Sequence, residues 1–358
     1  GALRVDQRKY RDAVSDFRNL LRTNPDDKRA QSLLANAHAA AGDTVLAKDA
    51  YRRVLEIDRS DAEAPVQLAR LLAEEGDEKA AMEVMERRTK VAPADVRAAR
   101  IYIALLVNDG DFRDARQEAE RVAALPEQEP VGNYLLGGVY AADGKDKEAA
   151  EYFAKSLAVV PSAREPLQGL VGSLIRLDRT DEAVQYLEDL TAKYPDNLFA
   201  KTLLGQVLAG SGDAVAAEQV LEATLESNEG WLPGYTALAG MQGGDINAQI
   251  DIYKRGLDAM PGNQEMALLL GTAYERSGQV DDAIAAYEEI LTVNPDAVAV
   301  ANNLAALLAD YRKDEASLQR ALELSAQFEN SDNPAFLDTL GWVYYRLGEY
   351  EKAVPLLK

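Results

Sequence analysis

The sequence predicts an all-α fold of tandem helical hairpins, on the evidence of a fixed period and of the composition. Glycine, or a residue that replaces it, recurs at ten intervals, of which eight are 34 residues, one is 32 and one is 36. A period of about 20–50 residues is typical of proteins whose repeats pack only on their neighbours. Alanine and leucine abound and aromatic residues make up only 7% of the chain, which favours helices over sheets. We refer to the recurring residues as markers: Arg8, Gly42, Gly76, Gly110, Gly144, Asp178, Gly212, Gly244, Gly278, Arg312 and Gly348.

Two other positions keep the phase of the marker. Five residues after it stands a small residue, except at Gln249: Ala13, Ala47, Ala81, Ala115, Ala149, Ala183, Ala217, Ala283, Ser317 and Ala353. Eight residues before it stands leucine or tyrosine, except at Thr236: Leu34, Leu68, Tyr102, Leu136, Leu170, Leu204, Leu270, Leu304 and Leu340. Small residues allow two helices to approach closely, so we expect the alanines to lie between the helices of a hairpin.

Each repeat is therefore predicted to hold a first helix, a tight turn at the marker and a second helix. Glycine permits the turn, and a proline seventeen residues after the marker closes six of the repeats. The predicted first helices are 28–41, 62–75, 95–109, 130–143, 164–177, 197–210, 231–242, 263–277, 297–310 and 333–347. The second helices follow the markers, from 9–23 to 350–358.

This pattern resembles the tetratricopeptide repeat (TPR) family over essentially the whole chain. The clearest repeat combines Leu270, Gly271, Tyr274, Gly278, Ala283, Tyr287 and Pro295, and the last one combines Leu340, Gly341, Tyr344, Gly348 and Ala353. The resemblance implies a right-handed α-solenoid of about ten helix-turn-helix repeats, with 1–358 as a single superhelix. TPR arrays usually finish with a polar capping helix, and none follows the last repeat. We therefore expect the native protein to continue, or another molecule, including a second copy, to cover that face.

Net charge limits the choice of partner. The chain carries 39 Lys+Arg and 60 Asp+Glu, a net charge of −21, which argues against nucleic acid because a phosphate backbone needs a basic face. Residues 1–125 hold 22 basic and 23 acidic residues, whereas residues 126–358 hold 17 and 37. No stretch approaches 18 consecutive apolar residues, so we expect no membrane span.

No pattern of catalytic residues emerges, and we expect neither an enzyme nor a bound cofactor or metal. The chain has no cysteine and a single histidine, His38, which occupies a slot where other repeats have tyrosine and is expected to be a packing residue. Gly240, Gly243 and Gly244 lack the Lys and Ser/Thr of a phosphate-binding loop. The carboxylates follow the spacing of a solvated helix face.

The TPR resemblance places ligand contacts on the first helices, 13, 10, 6 and 3 residues before the marker. In the N-terminal part these positions hold Arg29, Asn36, Arg70, Arg97 and Arg100. Further along they hold Tyr134, Phe199, Trp231, Met241, Asn302 and Trp342. The arginines resemble part of the carboxylate clamp by which some TPR domains hold a peptide terminus, although Arg70 stands where the second asparagine of that clamp belongs. The alternatives are ion pairs with Glu63 and its neighbours for the arginines, and ordinary packing for Phe199, Trp231 and Met241.

A second resemblance concerns the C-terminal part. Asn302, Asn303, Leu304 and Ala305, followed by the segments 321–324 and 338–342, are similar to large bacterial TPR proteins linked to exopolysaccharide export and exosortase (PEP-CTERM) sorting. That resemblance implies a scaffold or adaptor for proteins or peptides in a bacterial envelope complex, periplasmic or envelope-associated, with a signal or anchor outside this chain. The alternative is a partner-recruiting region of a larger enzyme, such as a glycosyltransferase.

The repeat at 230–262 breaks the period. Its marker interval is 32 residues, and its first helix contains Pro233, Gly234 and Gly240. Glycine inside a helix costs about 0.5–1 kcal/mol relative to alanine, so we expect this helix to be the least stable of the array. Either the preceding loop absorbs the deletion, or the repeat is a hinge that exposes Trp231 to a partner.

Overall fold

The computed structural model describes residues 10–357, and every regular element in that range is helical. The first helices of the repeats are α2 (Lys28–Ala40), α4 (Ala64–Glu74), α6 (Val96–Asp109), α8 (Glu129–Ala142), α10 (Arg164–Arg176), α12 (Leu198–Ser211), α14 (Leu232–Met241), α16 (Gln264–Ser277), α18 (Val298–Tyr311) and α20 (Pro334–Arg346). The second helices are α1 (Tyr10–Thr23), α3 (Thr44–Ile57), α5 (Glu78–Val91), α7 (Phe112–Ala123), α9 (Asp146–Val159), α11 (Thr180–Lys193), α13 (Ala214–Ser227), α15 (Ile246–Ala259), α17 (Val280–Val293), α19 (Glu315–Ser325) and α21 (Tyr350–Leu356). A short 3₁₀ turn, Ala326–Phe328, follows α19.

These bounds confirm the predicted all-α repeat fold. Each first helix lies within two residues of its predicted range, and the largest difference is at α4, which was expected over 62–75 and spans Ala64–Glu74. Marker Arg8 lies outside the described residues. The right-handed superhelix over 1–358 stays a prediction.

The chain divides into two compact units, Gly1–Ala183 and Val184–Lys358. Within each unit the helices pack in sequence order, and first helices lie against the second helix of their own repeat, as α2 does with α3 in the first unit and α16 with α17 in the second. First helices of successive repeats also contact one another, as α6 does with α8 in the first unit and α16 with α18 in the second. The first helices of a unit therefore share one surface, which we call its first-helix face.

The turn at the marker has one recurring geometry. Gly42 takes a left-handed φ of 79°, and the amide of Asp43 donates to the carbonyl of His38 at 2.9 Å. The same bond, from the amide that follows the marker to the carbonyl five residues earlier, closes the turns at Gly76, Gly110, Gly144, Asp178, Gly212, Gly278 and Gly348. Glycine reaches this backbone region without the steric cost that a Cβ adds, and the bond satisfies a carbonyl at the helix end.

The nine alanines that stand five residues after a marker are all buried. Ala47, Ala149 and Ala283 are completely buried. In one hairpin the approach is so close that a Cβ on Gly137 of α8 would lie 2.6 Å from the Phe153 ring of α9. These positions form the packed centre of each hairpin, as the sequence predicts.

The marker of the irregular repeat was assigned wrongly to Gly244. The left-handed residue is Gly243, with φ 56°, and the turn is closed by a short bond from the Asp245 amide to the Gln242 carbonyl at 3.0 Å. The Gln249 side chain, which stands in the alanine slot, donates from Nε2 to the Gly243 carbonyl at 2.9 Å. The glutamine side chain thus bonds to the carbonyl of the turn residue itself.

Arg312 also differs from the glycines that it was aligned with. Its backbone is extended, with φ −109° and ψ 142°, and α18 ends at Tyr311. The next helix begins only at Glu315, where Asp314 caps it by accepting from the Ser317 amide at 2.9 Å. Three residues separate the two helices, as in most of the other turns, so this turn differs in its backbone conformation and not in its length.

Replacing Ala283 by leucine should destabilise the protein by about 1–3 kcal/mol, because the alanine has no exposed surface and extra methylenes overpack a close helix contact. Ala285 lies exposed on the same helix, so Ala285→Leu is the matched control and should change stability by less than about 0.5 kcal/mol. Thermal melting followed by circular dichroism checks both. Coincident melts for Ala283→Leu and wild type would show that the repeat register is wrong.

Backbone amides of residues 231–244 should exchange with solvent faster than those of 197–210 and 263–277. Helix α14 has 10 residues against 14 in α12 and in α16, and it contains Gly240. A Cβ on Gly240 would meet open space, so Gly240→Ala should slow exchange by the equivalent of about 0.5–1 kcal/mol.

Gly234→Ala is the control for that measurement, because its Cβ would lie 2.7 Å from Leu225 and should speed exchange instead. Hydrogen exchange followed by mass spectrometry reads both variants. Equal protection of the three helices in the wild-type chain would contradict the idea of a weak repeat.

Candidate partner-binding surface

The first-helix face of the first unit contains a groove between α6 and α8. It encloses about 310 Å³ and is lined by Arg100 and Tyr134, two of the predicted site residues, together with Ile103, Ala104, Val107, Asn108, Leu135, Gly138 and Val139. We call it the α6–α8 groove. Apart from Arg100 and Asn108 its walls are apolar or aromatic, so it suits an apolar side chain that has a polar neighbour.

Packing against Phe153 holds Tyr134 in the groove wall. Its ring lies 6.2 Å from the ring of Phe153, at an interplanar angle of 40°. The Arg100 guanidinium lies 5.8 Å from the centroid of the Tyr134 ring, within the range of a cation–π contact. A Cβ on Gly138 would meet nothing within 4 Å, so the groove stays open above this glycine.

The four predicted arginines differ in their pairing. Arg97 donates to Glu63 at 2.8 Å, and the two side chains occupy the same slot in successive repeats. Arg70 pairs with Glu74 at 2.7 Å along its own helix. Arg29 and Arg100 are exposed and have no ion-pair partner within residues 10–357. The predicted alternative of pairing with Glu63 and its neighbours thus describes Arg97 and Arg70 and leaves two arginines available to an anion.

Asn36 has a structural role. Its side-chain oxygen accepts a bond of 2.7 Å from the hydroxyl of Tyr51, whose side chain is buried in the same hairpin. Burial raises the pKa of Tyr51, so the hydroxyl remains a donor. Only the amide nitrogen of Asn36 is left for a ligand.

In the second unit the predicted aromatic anchors are partly used in packing. The indole nitrogen of Trp231 donates to the Thr202 hydroxyl at 2.8 Å, which ties the loop before α14 to α12. Met241 is half-buried against the same apolar cluster, and Phe199 is half-buried on α12. This geometry favours the packing alternative for Trp231.

Asn302 and Trp342 lie on neighbouring first helices, α18 and α20. The indole nitrogen of Trp342 donates to Asp310 at 2.7 Å, and its ring stacks on Tyr345 at 5.1 Å between centroids. The side-chain oxygen of Asn302 is buried and has no hydrogen-bond partner, while its nitrogen lies 3.4 Å from the side-chain oxygen of Asn303. Trp342 is thus fixed by its neighbours, and Asn302 keeps one acceptor unsatisfied.

The single histidine has a structural position. His38 is buried, with Nδ1 at 3.2 Å from Asp43 and Nε2 at 3.4 Å from Arg18, which is the packing position that the sequence predicts. Among residues 10–357, no group of three His, Cys, Asp or Glu side chains could hold a metal ion. Over the same range, the helices are too short and too polar to cross a bilayer.

The sequence prediction missed part of the α6–α8 groove. Ala104, Val107 and Asn108 were not selected, although they follow Arg100 at intervals of four, seven and eight residues and so share one helix face. Gly138 follows Tyr134 by four residues in the same way. Extending each predicted residue along its helix face identifies these positions.

The sequence matches the tetratricopeptide repeat family in two overlapping sets of residues, 1–65 and 103–164 in one set, and 38–106, 174–240 and 241–311 in the other. It is 26% identical over 206 residues to cellulose synthase operon protein C of Pseudomonas fluorescens (strain SBW25), a match that covers 57% of this chain and 14% of that protein. It is 25% identical over 198 residues to the human protein O-mannosyl-transferase TMTC1, covering 53% of this chain and 22% of that one. The chain therefore spans less than a quarter of the length of either relative.

Two solved structures are similar in fold. The structure of Naa15/Naa10 bound to HypK-THB aligns with a TM-score of 0.42 and 18% identity, covering 99% of this chain and 61% of that chain. The crystal structure of MamA protein aligns with a TM-score of 0.38 and 22% identity, covering 46% of this chain and 91% of that chain.

Changing Arg97 to serine should raise the pKa of Glu63, because the hydrogen bond from Arg97 is the largest cause that lowers it, ahead of the bond from Gln67. A carboxyl whose pKa is lowered by folding stabilises the native state at any pH above its pKa in the unfolded chain, about 4.3. This stabilisation is lost as the pH falls through the pKa of the same carboxyl in the folded protein. Titration of Glu63 by NMR measures the shift. Arg100→Ser is the control, and an unchanged Glu63 pKa in Arg97→Ser would mean that the pair does not form in solution.

Proposed function

The chain belongs to the tetratricopeptide repeat family, and from this premise we propose that it is a non-catalytic scaffold that binds a partner protein or peptide on its first-helix face. The observation that carries the proposal is the α6–α8 groove. An apolar cavity beside Arg100, an arginine that forms no ion pair within residues 10–357, fits a peptide with an apolar side chain next to a carboxylate. Guanidinium groups bind carboxylates through two parallel hydrogen bonds, which gives both affinity and orientation.

The biological setting that we propose is a bacterial envelope complex, in particular one for exopolysaccharide export. The similarity to cellulose synthase operon protein C supports it, because that protein is named for a polysaccharide operon. The similarity is limited to 206 residues at 26% identity, so the partner itself has to come from experiment.

The alternative function is to recruit substrates or partners to a larger enzyme, such as a glycosyltransferase. The similarity to a human O-mannosyl-transferase favours it. The complete open reading frame distinguishes the two proposals, since a nucleotide-sugar-binding domain in the same chain supports the enzyme. Self-association of the chain is a separate proposal, and light scattering over a dilution series tests it.

The double variant Arg100→Ser/Tyr134→Ala should lose a protein that the wild-type chain captures from a lysate of its source organism. Binding by the wild type should also weaken between about 0.1 M and about 1 M salt, because the Debye length falls from about 10 Å to about 3 Å. Affinity capture followed by quantitative mass spectrometry measures both effects. The protein captured from the lysate, once purified, should also bind the purified chain in isothermal titration calorimetry.

Arg87→Ser is the matched control, because Arg87 is an exposed arginine on α5, a second helix, and pairs with Glu83. Capture should survive this change. A partner that is retained by the double variant, or lost equally in the control, would contradict binding in the α6–α8 groove.

A further inference from the structure

A second groove lies on the opposite set of helices in the second unit. It encloses about 360 Å³ between α15 and α17, over part of α16, and we call it the α15–α17 groove. Leu257, Leu270 and Ile290 form its apolar floor, and Ile290 and Leu270 are buried. It is built mainly from second helices, so it is separate from the first-helix face.

Three exposed carboxylates surround this floor: Asp258 on α15, and Asp282 and Glu289 on α17. One cation, Lys254, faces them from α15. None of these four side chains forms an ion pair within residues 10–357. The rim therefore carries an excess of unpaired negative charge beside an apolar surface.

The neighbouring second-helix interfaces are closed by the chain's own arginines. Between α13 and α15, Arg255 forms a two-pronged pair with Glu222 at 2.8 and 2.7 Å. Between α17 and α19, Arg320 holds Glu288 at 3.0 and 3.2 Å. A guanidinium thus lies across the second helices on each side of the α15–α17 groove.

The α15–α17 interface has no such arginine–glutamate pair, because its charges are arranged differently. Glu222 is the ninth residue of α13 and Arg255 the tenth of α15, so the corresponding residues one repeat later are Lys254 and Glu289. A lysine stands in the first position of the pair and a carboxylate in the second, and no ion pair of residues 10–357 joins the two helices. The interface therefore lacks the bridging guanidinium that its two neighbours have.

We propose that the α15–α17 groove binds an arginine side chain from an apolar segment of a partner protein. The guanidinium lies between α15 and α17, one helical turn along α15 from Lys254, and pairs with the carboxylates of Asp258 and Glu289. The methylene stem and the flanking apolar side chains cover Leu257 and Ile290. The chain then has two partner surfaces of opposite preference, one for carboxylates on α6 and α8 and one for arginine on α15 and α17.

The test uses the full chain with its Ile, Leu and Val methyl groups labelled for NMR. The probes are acetyl-Leu-Arg-Leu-amide and the same tripeptide with citrulline, which has the shape of arginine without its charge. The arginine peptide should shift the methyl signals of Leu257, Ile290 and Val293, while the citrulline peptide should bind at least about tenfold more weakly. Equal binding of the two peptides, or no shift at millimolar concentration, would overturn the proposal.

A designed closure of the groove gives the second arm of the test. The variant Lys254→Glu/Glu289→Arg recreates the Glu222–Arg255 pair at this interface and should weaken the arginine peptide at least about tenfold. Asp258→Asn should weaken it by a smaller factor. Glu226→Gln removes an exposed carboxylate from α13, outside the groove, and should leave binding unchanged. Unaltered affinity in the closed variant, or shifts spread along all the acidic second helices, would show only non-specific attraction to a negative chain.

Discussion

The close packing of two helices at one buried alanine is the constraint on which the rest of the structure depends. Ala47, Ala149 and Ala283 have no exposed surface, so a longer side chain at any of them would overpack the contact between the two helices. The left-handed turn at the marker then directs the second helix back along the first. Because contact and turn recur with one period, every hairpin presents the same two surfaces, and both candidate binding grooves are consequences of that repetition.

The fold could be predicted because its determinants are local and repeated. Small residues, turn glycines and closing prolines each act within one hairpin, so ten copies of the pattern placed the helices within two residues. The errors fell at the irregular turns. Gly243 rather than Gly244 turns the chain in the repeat of α14 and α15, and there the Gln249 side chain donates to the Gly243 carbonyl.

The candidate site could be predicted only in outline. Periodicity put Arg97, Arg100 and Tyr134 on one face, but it contains no information on which charges pair across repeats. Arg97 is held by Glu63 while Arg100 lies over a tyrosine ring, and both are arginines three residues apart on α6. The missing arginine between α15 and α17 is visible only when neighbouring interfaces are compared in three dimensions. Charge pairing depends on distances that the sequence does not state.

The fit between Phe153 and the glycines around it has a consequence for how such an array can evolve. A Cβ on Gly137 or on Gly169 would lie 2.6 or 2.5 Å from that ring, and Gly205 faces Leu221 and Gly271 faces Tyr287 in the same manner. In the repeat of α6 and α7 the sizes are exchanged, with Ile103 on the first helix and Ala119 on the second. The residues at these two positions therefore change in matched pairs from hairpin to hairpin, so a repeat transplanted between positions would carry its own partner for the hairpin contact but meet a foreign surface at the next repeat.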